Sequence, residues 1–322
     1  MNYRKLGRTG LEVSEVGYGA WGIGKDAWIG ADDDESLRAL NRAIDLGLNF
    51  IDTALAYGEG HSEQLVGRVV AQREETVYVA TKIAPMNRVW PAPWGLHPDD
   101  VFPGDYVREC TETSLENLGV DAIDVQQFHV WSDEWVGQGD WLEAVEELKG
   151  EGKIRFFGIS VNDHQPSNVI RLIETGVVDT VQVIYNVFDQ SPEDELFPAC
   201  IEHDVGVIVR VPFDEGALTG RITPDTTFDE DDFRNDYFRG DRKQQVYERV
   251  RALVTELGVT EDEVAEVALR YILSHPAVST VIPGMRSVRN VERNIAVADG
   301  KGLLGDQAQL LKAHRWDRNF YA

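Results

Sequence analysis

The stretch NFIDTALAYGEGHSEQLVGRVVAQ, residues 49–72, holds one structural unit. A short apolar run (49–54) ends in polar residues, a glycine-containing turn follows, and SEQLVGRVVAQ (62–72) repeats its apolar residues at helical spacing. The next apolar run, TVYVAT (76–81), starts a second unit. Strand, helix, strand in that order is a crossover connection, which is right-handed in nearly all proteins.

The rhythm extends in both directions. EVGYGA (15–20) precedes it, while AIDVQQFH (122–129), IRFFGIS (154–160), TVQVIYN (180–186), VGVIVRV (205–211) and STVIPG (279–284) follow. Each run is rich in Val, Ile or aromatics and ends in Gly or polar residues, the pattern of a buried parallel strand. Helical patterns lie between them at 32–47, 106–119, 141–152, 166–176, 192–206 and 261–276. Asp32 to Asp34 load acid at one helix start, and Gly47, Gly119, Gly150 and Gly176 stand at helix ends. Eight alternations predict an α/β fold closed as a (β/α)8 TIM barrel, one domain over residues 1–322. A doubly wound sheet is the other solution, but GYGAWGIG (17–24), its nearest approach to a dinucleotide fingerprint, has no helix directly behind it. YRKLGRTGLEVSEV predicts a β-hairpin, turned at Gly7 to Gly10, capping the barrel bottom. Long loops interrupt the rhythm after strands three (84–105) and seven (212–243), at the strand ends where barrel enzymes place their active sites.

Composition narrows the partners. Lys and Arg number 31 against 56 Asp and Glu, a net charge of −25, which argues against nucleic acid or an anionic membrane. No run reaches the ~20 apolar residues of a membrane span, and MNYRKLGRTG lacks the apolar stretch of a signal peptide. Cys110 and Cys200 cannot form a disulfide framework, so the cytoplasm is the expected compartment. Excess acid with little lysine fits a surface adapted to high salt or an ordinary acidic cytosolic protein.

Asp52 ends strand two, Tyr57 lies in the loop beyond, Lys82 ends strand three and His129 ends strand four, so all four converge on one mouth of the barrel. A phenol with pKa ~10 is a poor acid at neutral pH. Lys82 supplies a cation to depress it, Asp52 holds Lys82 charged, and His129 hydrogen-bonds a substrate carbonyl. With no activated serine, no thiol and no metal-ligand histidine spacing among these residues, no metal is expected, and a separate hydride source fits.

NFIDTALAYGEGHSEQLVG, VYVATK, DAIDVQQFH, GKIRFFGIS and TVIPGMRSVRNVERN, in this order over nearly the whole chain, resemble the aldo-keto reductase superfamily. The resemblance implies that Asp52, Tyr57, Lys82 and His129 form the family's tetrad, with the tyrosine as general acid-base. It also implies a nicotinamide dinucleotide, NADP(H) more than NAD(H), as hydride donor for aldehyde or ketone reduction. Ser160 and Gln182 match the positions that face the carboxamide. Val161 stands at the family's Asn position, with Asn162 beside it as substitute. Arg210 replaces the aromatic that stacks on nicotinamide in many members, as in the branch with arginine there; the other option is an ion pair with Asp214 or Glu215. Gly19, Ala20 and Trp21 on one rim, and Pro212 and Leu218 on the other, match cofactor-lining segments. Gly284, Arg286, Asn290 and Asn294 match the adenosine-phosphate segment, with the amino end of the following helix suited to an anion and Arg286 on the 2′-phosphate. Arg293 stands where the family usually has Glu, which either removes an adenine contact or adds a phosphate partner.

Trp21 and Trp131, with Trp90 or Trp94, would wall a pocket for a small-molecule carbonyl substrate. The alternative function is a cofactor-binding regulatory subunit, because the superfamily resembles ion-channel β subunits that keep the tetrad. An N-terminal extension of the kind such a subunit uses is not expected before the hairpin. The tryptophans suit an interface as well as a pocket, and the sequence assigns no oligomeric state.

Overall fold

The computed structural model describes residues 1–25, 28–303 and 305–322. Strands β1 (Tyr3–Lys5) and β2 (Glu12–Ser14) form the antiparallel hairpin. Eight parallel strands follow: β3 (Tyr18–Gly19), β4 (Phe50–Asp52), β5 (Tyr78–Ile83), β6 (Ile123–Phe128), β7 (Ile154–Ser160), β8 (Thr180–Ile184), β9 (Gly206–Arg210) and β10 (Val278–Val281). Each pairs with its sequence neighbour. The sheet closes on itself because Val16 bridges Val281 and Gly19 bridges Gly284, both in parallel sense. Closure demands close approach: a Cβ on Gly19 would lie 2.5 Å from the Ile282 carbonyl oxygen, so a side chain there would part the seam.

The hairpin plugs the cylinder. Leu6, Leu11 and Val13 pack against Phe50, Ala80, Val125 and Ile208, the inward residues of β4, β5, β6 and β9. Burial on both faces explains the near-continuous apolar character of the runs.

The outer helices are α1 (Asp33–Asp45), α2 (His61–Val70), α3 (Gly104–Leu118), α4 (Trp141–Gly150), α5 (Ile170–Thr175) and α6 (Leu196–Glu202). The Asp32 side chain caps α1 by accepting from the Glu35 amide at 2.9 Å. Gly119 and Gly176 end α3 and α5 in the left-handed region, whereas Gly150 is still inside α4. Beyond β9 the chain forms α7 (Arg234–Tyr237), α8 (Arg242–Leu257) and α9 (Val264–Leu273), and beyond β10 α10 (Val288–Ile295) and α11 (Gly305–Lys312). Helix α8 is absent from the sequence expectation, although Val246, Val250 and Leu253 carry its buried stripe at helical spacing. None of the described helices is long and apolar enough to cross a membrane.

Register sets the site. Gly19 aligns with Asp52, Lys82 with Gln127, Ser160 with Gln182 and Ile184 with Arg210. The chemistry-bearing residues therefore lie at the carboxyl ends of neighbouring strands.

Candidate active site

A cavity of ≈ 1190 Å³ opens at those carboxyl ends, and Asp52, Tyr57 and His129 line it. Beneath it Lys82 is fully buried. Its Nζ donates to Asp52 Oδ2 at 2.6 Å, to the Thr53 carbonyl at 2.7 Å and to the Tyr57 hydroxyl at 3.1 Å. All three ammonium protons are thus engaged. The second Asp52 oxygen accepts from Gln182 Nε2 at 2.7 Å and Gln127 Nε2 at 3.2 Å. Gln127 was not among the expected site residues; a polar pair inside the apolar run AIDVQQFH is the signal that marks it.

Burial lowers the Lys82 pKa, but attraction to Asp52 and Tyr57 outweighs it and holds the ammonium above its usual range. For Tyr57 the direction differs from the sequence expectation. Burial raises the phenol, and the pull of Lys82 does not fully reverse it. Desolvation of a phenolate is the larger effect. The Tyr57 ring stands edge-on to His129 with centroids 5.8 Å apart. Burial, then the charges of Lys82 and Arg210, push His129 well below its ordinary value, so the ring is neutral. Its Nδ1 is buried with no hydrogen-bond partner among the described residues.

Gly19, Trp21, Ser160, Asn162, Gln182, Arg210, Pro212, Gly284, Arg286, Asn290 and Asn294 all line this cavity. Ser160 Oγ and Gln182 Oε1 have no partner among the described residues, which leaves an acceptor-donor pair for a ligand amide. Arg210 donates to Asp163 at 2.6 Å and to the Val161 carbonyl at 3.0 Å. Its partner is therefore Asp163, and neither Asp214 nor Glu215.

Several expectations need correction. Trp131 does not wall the cavity: it is wholly buried, donates its indole N–H to Asp133 at 3.0 Å, and packs between Trp135 and Trp141. It fills the core from a position three residues beyond the end of β6. Trp90 lines the cavity, edge-on to His129, whereas Trp94 is exposed outside it. Asn162 reaches the wall, but its Oδ1 accepts from the Ala92 and Trp131 amides and its Nδ2 donates to Gln165, so its amide braces loops. Ala20 and Leu218 are fully buried and absent from the wall. The Ala20 backbone instead ties Asp52 and Ser62 together, and Thr219 takes the lining place beside Leu218.

Two aromatic rings lead from Tyr57 toward a basic region. Trp21 lies 6.3 Å from Tyr57 and 6.0 Å from Trp28, and the guanidinium groups of Arg234 and Arg286 sit 4.3 and 5.6 Å from the Trp28 ring. Arg286 donates to the Ile29 carbonyl and has no ion-pair partner among the described residues. Burial and the Arg234 charge lower its pKa. Arg234 is held by Asp232 through two hydrogen bonds of 2.8 and 2.6 Å, which leaves Arg286 as the half-buried guanidinium of this region without a carboxylate of its own among the described residues. The amino end of α10 contributes less than expected, since Glu35 already accepts from the Val288 amide and Ser287 from that of Asn290.

The comparisons agree with this architecture. The aldo/keto reductase family model matches residues 15–315. The chain is 30% identical to an uncharacterized oxidoreductase, YqkF, of Bacillus subtilis, over 98% of this chain and 96% of that one. It is 28% identical to the NADH-specific methylglyoxal reductase of Escherichia coli, over 90% and 91%. An aldo/keto reductase from Klebsiella pneumoniae, solved with NADP and acetate, superposes with a TM-score of 0.69 at 25% identity, covering 99% and 98%. The family model spans nearly the entire barrel, from β3 to the tail beyond α11, and the chain therefore belongs to the aldo/keto reductase family and is an oxidoreductase.

Proposed function

We propose that this enzyme reduces aldehydes or ketones with NADPH, using Asp52, Tyr57, Lys82 and His129. One observation carries the reading: a fully buried ammonium bonded at once to the Asp52 carboxylate and the Tyr57 hydroxyl. The dinucleotide, when bound, supplies two electrons to the carbonyl carbon as hydride. Tyr57 gives its proton to the carbonyl oxygen. Lys82 offsets the negative charge then left on the phenol oxygen, at a place where water cannot screen it. Asp52 keeps Lys82 protonated and aimed. Neutral His129 offers a ring N–H to the same carbonyl oxygen and orients it without competing as a charged acid.

The residues present fit the cofactor. Ser160 and Gln182 would hold the carboxamide, Arg210 would lie against the nicotinamide as in the branch with arginine at this position, and Arg286 would grip the 2′-phosphate with Asn290 and Asn294 near the adenine. The unpaired Arg286 and the NADP held by the Klebsiella protein support NADPH; the NADH-specific Escherichia relative shows that family membership alone does not select it. Trp21 and Trp90 would flank a small carbonyl compound. Oxidation of NADPH, followed by absorbance with a panel of small aldehydes, tests the assignment; equal turnover by the wild type and Tyr57→Phe overturns it.

A further inference from the structure

Asp214 and Glu215 follow β9 as adjacent buried carboxyls, but only one is compensated. Asp214 accepts from the Tyr237 hydroxyl at 2.9 Å and pairs with Arg318. Glu215 is 6% exposed, and its hydrogen-bond partner is the Tyr321 hydroxyl alone, which donates to Oε1. No cation pairs with it among the described residues, because the facing guanidinium of Arg210 is committed to Asp163. Such a carboxyl is costly to bury unless something in the cavity answers it.

Its placement is also costly. Val211, Asp214 and Glu215 adopt φ of 54°, 50° and 55°, the left-handed region that side chains avoid. Asn186 holds the turn by donating to the Val211 carbonyl at 3.0 Å, and Arg318 and Tyr321 hold it from the tail. The strained turn presents Glu215 to the same cavity that Arg210, Ser160 and Gln182 line. Strain kept in place by this many contacts is characteristic of functional sites.

We propose that Glu215 sets the relative affinity of the site for oxidised and reduced nicotinamide. Ionised, its carboxylate offsets the Arg210 charge and admits the cationic oxidised ring. Protonated, it leaves Asp163 as the one carboxylate paired with the arginine among the described residues, the net charge beside the ring is more positive, and the uncharged reduced ring is favoured. The carboxyl releases its proton to solvent as the oxidised cofactor binds, so charge is conserved. This rests on the reading in which Arg210, Ser160 and Gln182 receive the nicotinamide.

The titratable and charged groups that act on Glu215 are Asp163 beyond β7, Arg210 on β9, Asp214 on its own turn and Tyr321 on the tail; Tyr237 on α7 and Arg318 are held by Asp214, and the His164 ring lies 5.9 Å from that of Tyr321. Burial pushes the carboxyl up to about 7, with Tyr321 and Arg210 opposing and Asp214 and Asp163 reinforcing. The change of charge therefore falls in the neutral range.

The test measures dissociation constants of NADP+ and NADPH by calorimetry, with cofactor fluorescence as a second readout, from about pH 6 to about pH 8.5. Their ratio cancels the titration of the 2′-phosphate, which both carry. In the wild type the ratio of oxidised to reduced constants should fall about tenfold with rising pH. In Glu215→Gln it should stay flat within about twofold. Tyr321→Phe, lacking the hydrogen bond that stabilises the carboxylate, should move the transition to higher pH. A flat wild-type ratio, or the same slope in Glu215→Gln, overturns the proposal. Failure of both cofactors to bind any of these proteins overturns the reading of the cavity instead, a result distinct from binding with a flat ratio.

Discussion

Gln182 and Asp52, on β8 and β4, meet across the barrel in a 2.7 Å hydrogen bond. Gln127 adds a second donor to the same carboxylate oxygen from β6. Together they turn Asp52 so that its other oxygen faces Lys82. Gln182 is shared: its nitrogen serves Asp52 while its carbonyl faces the cavity, so the acid-base couple and the proposed carboxamide site have one residue in common.

That sharing separates two variants. Gln127→Leu should lower kcat by about tenfold or more, the loss of a hydrogen bond to a charged group, while the KM for NADPH stays near the wild-type value. Gln182→Leu should lower kcat and also raise the KM for NADPH. Steady-state kinetics with both cofactor and aldehyde varied would show the split; identical profiles for the two variants would count against it.

Tyr57→Phe should cost at least ~10²-fold in kcat, the scale of general acid catalysis. NADPH affinity, followed by fluorescence titration, should be nearly unchanged, since the hydroxyl serves the carbonyl.

The acid and the imidazole give a defined pH dependence. In the proposed reaction reduction needs Tyr57 protonated, and burial holds its phenol above the ordinary range, so the acid stays loaded through neutral pH. His129 is lowered and stays neutral through the same range. With NADPH saturating, kcat/KM for the aldehyde should not fall between about pH 6 and about pH 9, and a rise through neutrality belongs to the ionisation of Glu215. A fall centred near the ordinary histidine value of ~6.5 would show that His129 titrates during catalysis.

Arg286→Ala should weaken NADPH far more than NADH, by about 1.5–3 kcal/mol, the worth of a hydrogen bond to a charged group. Parallel titrations of the two reduced cofactors measure the difference. Equal losses would shift the 2′-phosphate to another cation, with Arg293 and Arg234 the next to substitute.

The two tryptophans near His129 should behave oppositely. Trp131→Ala opens a cavity among Phe128, Trp135 and Trp141 and should cost about 3–5 kcal/mol of stability. Trp90→Ala removes a ring that is 43% exposed at the mouth; it should change stability by less than about 0.5 kcal/mol and raise the KM for aromatic aldehydes. Chemical unfolding and kinetics on both variants check the pair.

Much of this was legible in the linear chain. Strand runs with helices between them determine a parallel sheet, because crossovers have one hand and both sheet faces must be buried. Asp52, Lys82 and His129 stand at or beside run ends with Tyr57 in the loop just beyond one, and the carboxyl ends of barrel strands share one rim, so the four could be named together. Helix α8 was equally readable from its buried stripe but was hidden by the acidic loop before it. Other matters depended on contacts that no local pattern encodes. Trp131 and Trp90 are the same residue type in neighbouring loops, and only packing decided that one fills the core and the other lines the mouth. Arg210 had two acidic residues close by in sequence, yet it pairs with Asp163 on another strand's loop, since an ion pair follows distance in space. The direction of the Tyr57 shift likewise depended on how deeply the phenol is buried, a property of the folded cylinder and not of its neighbours along the chain.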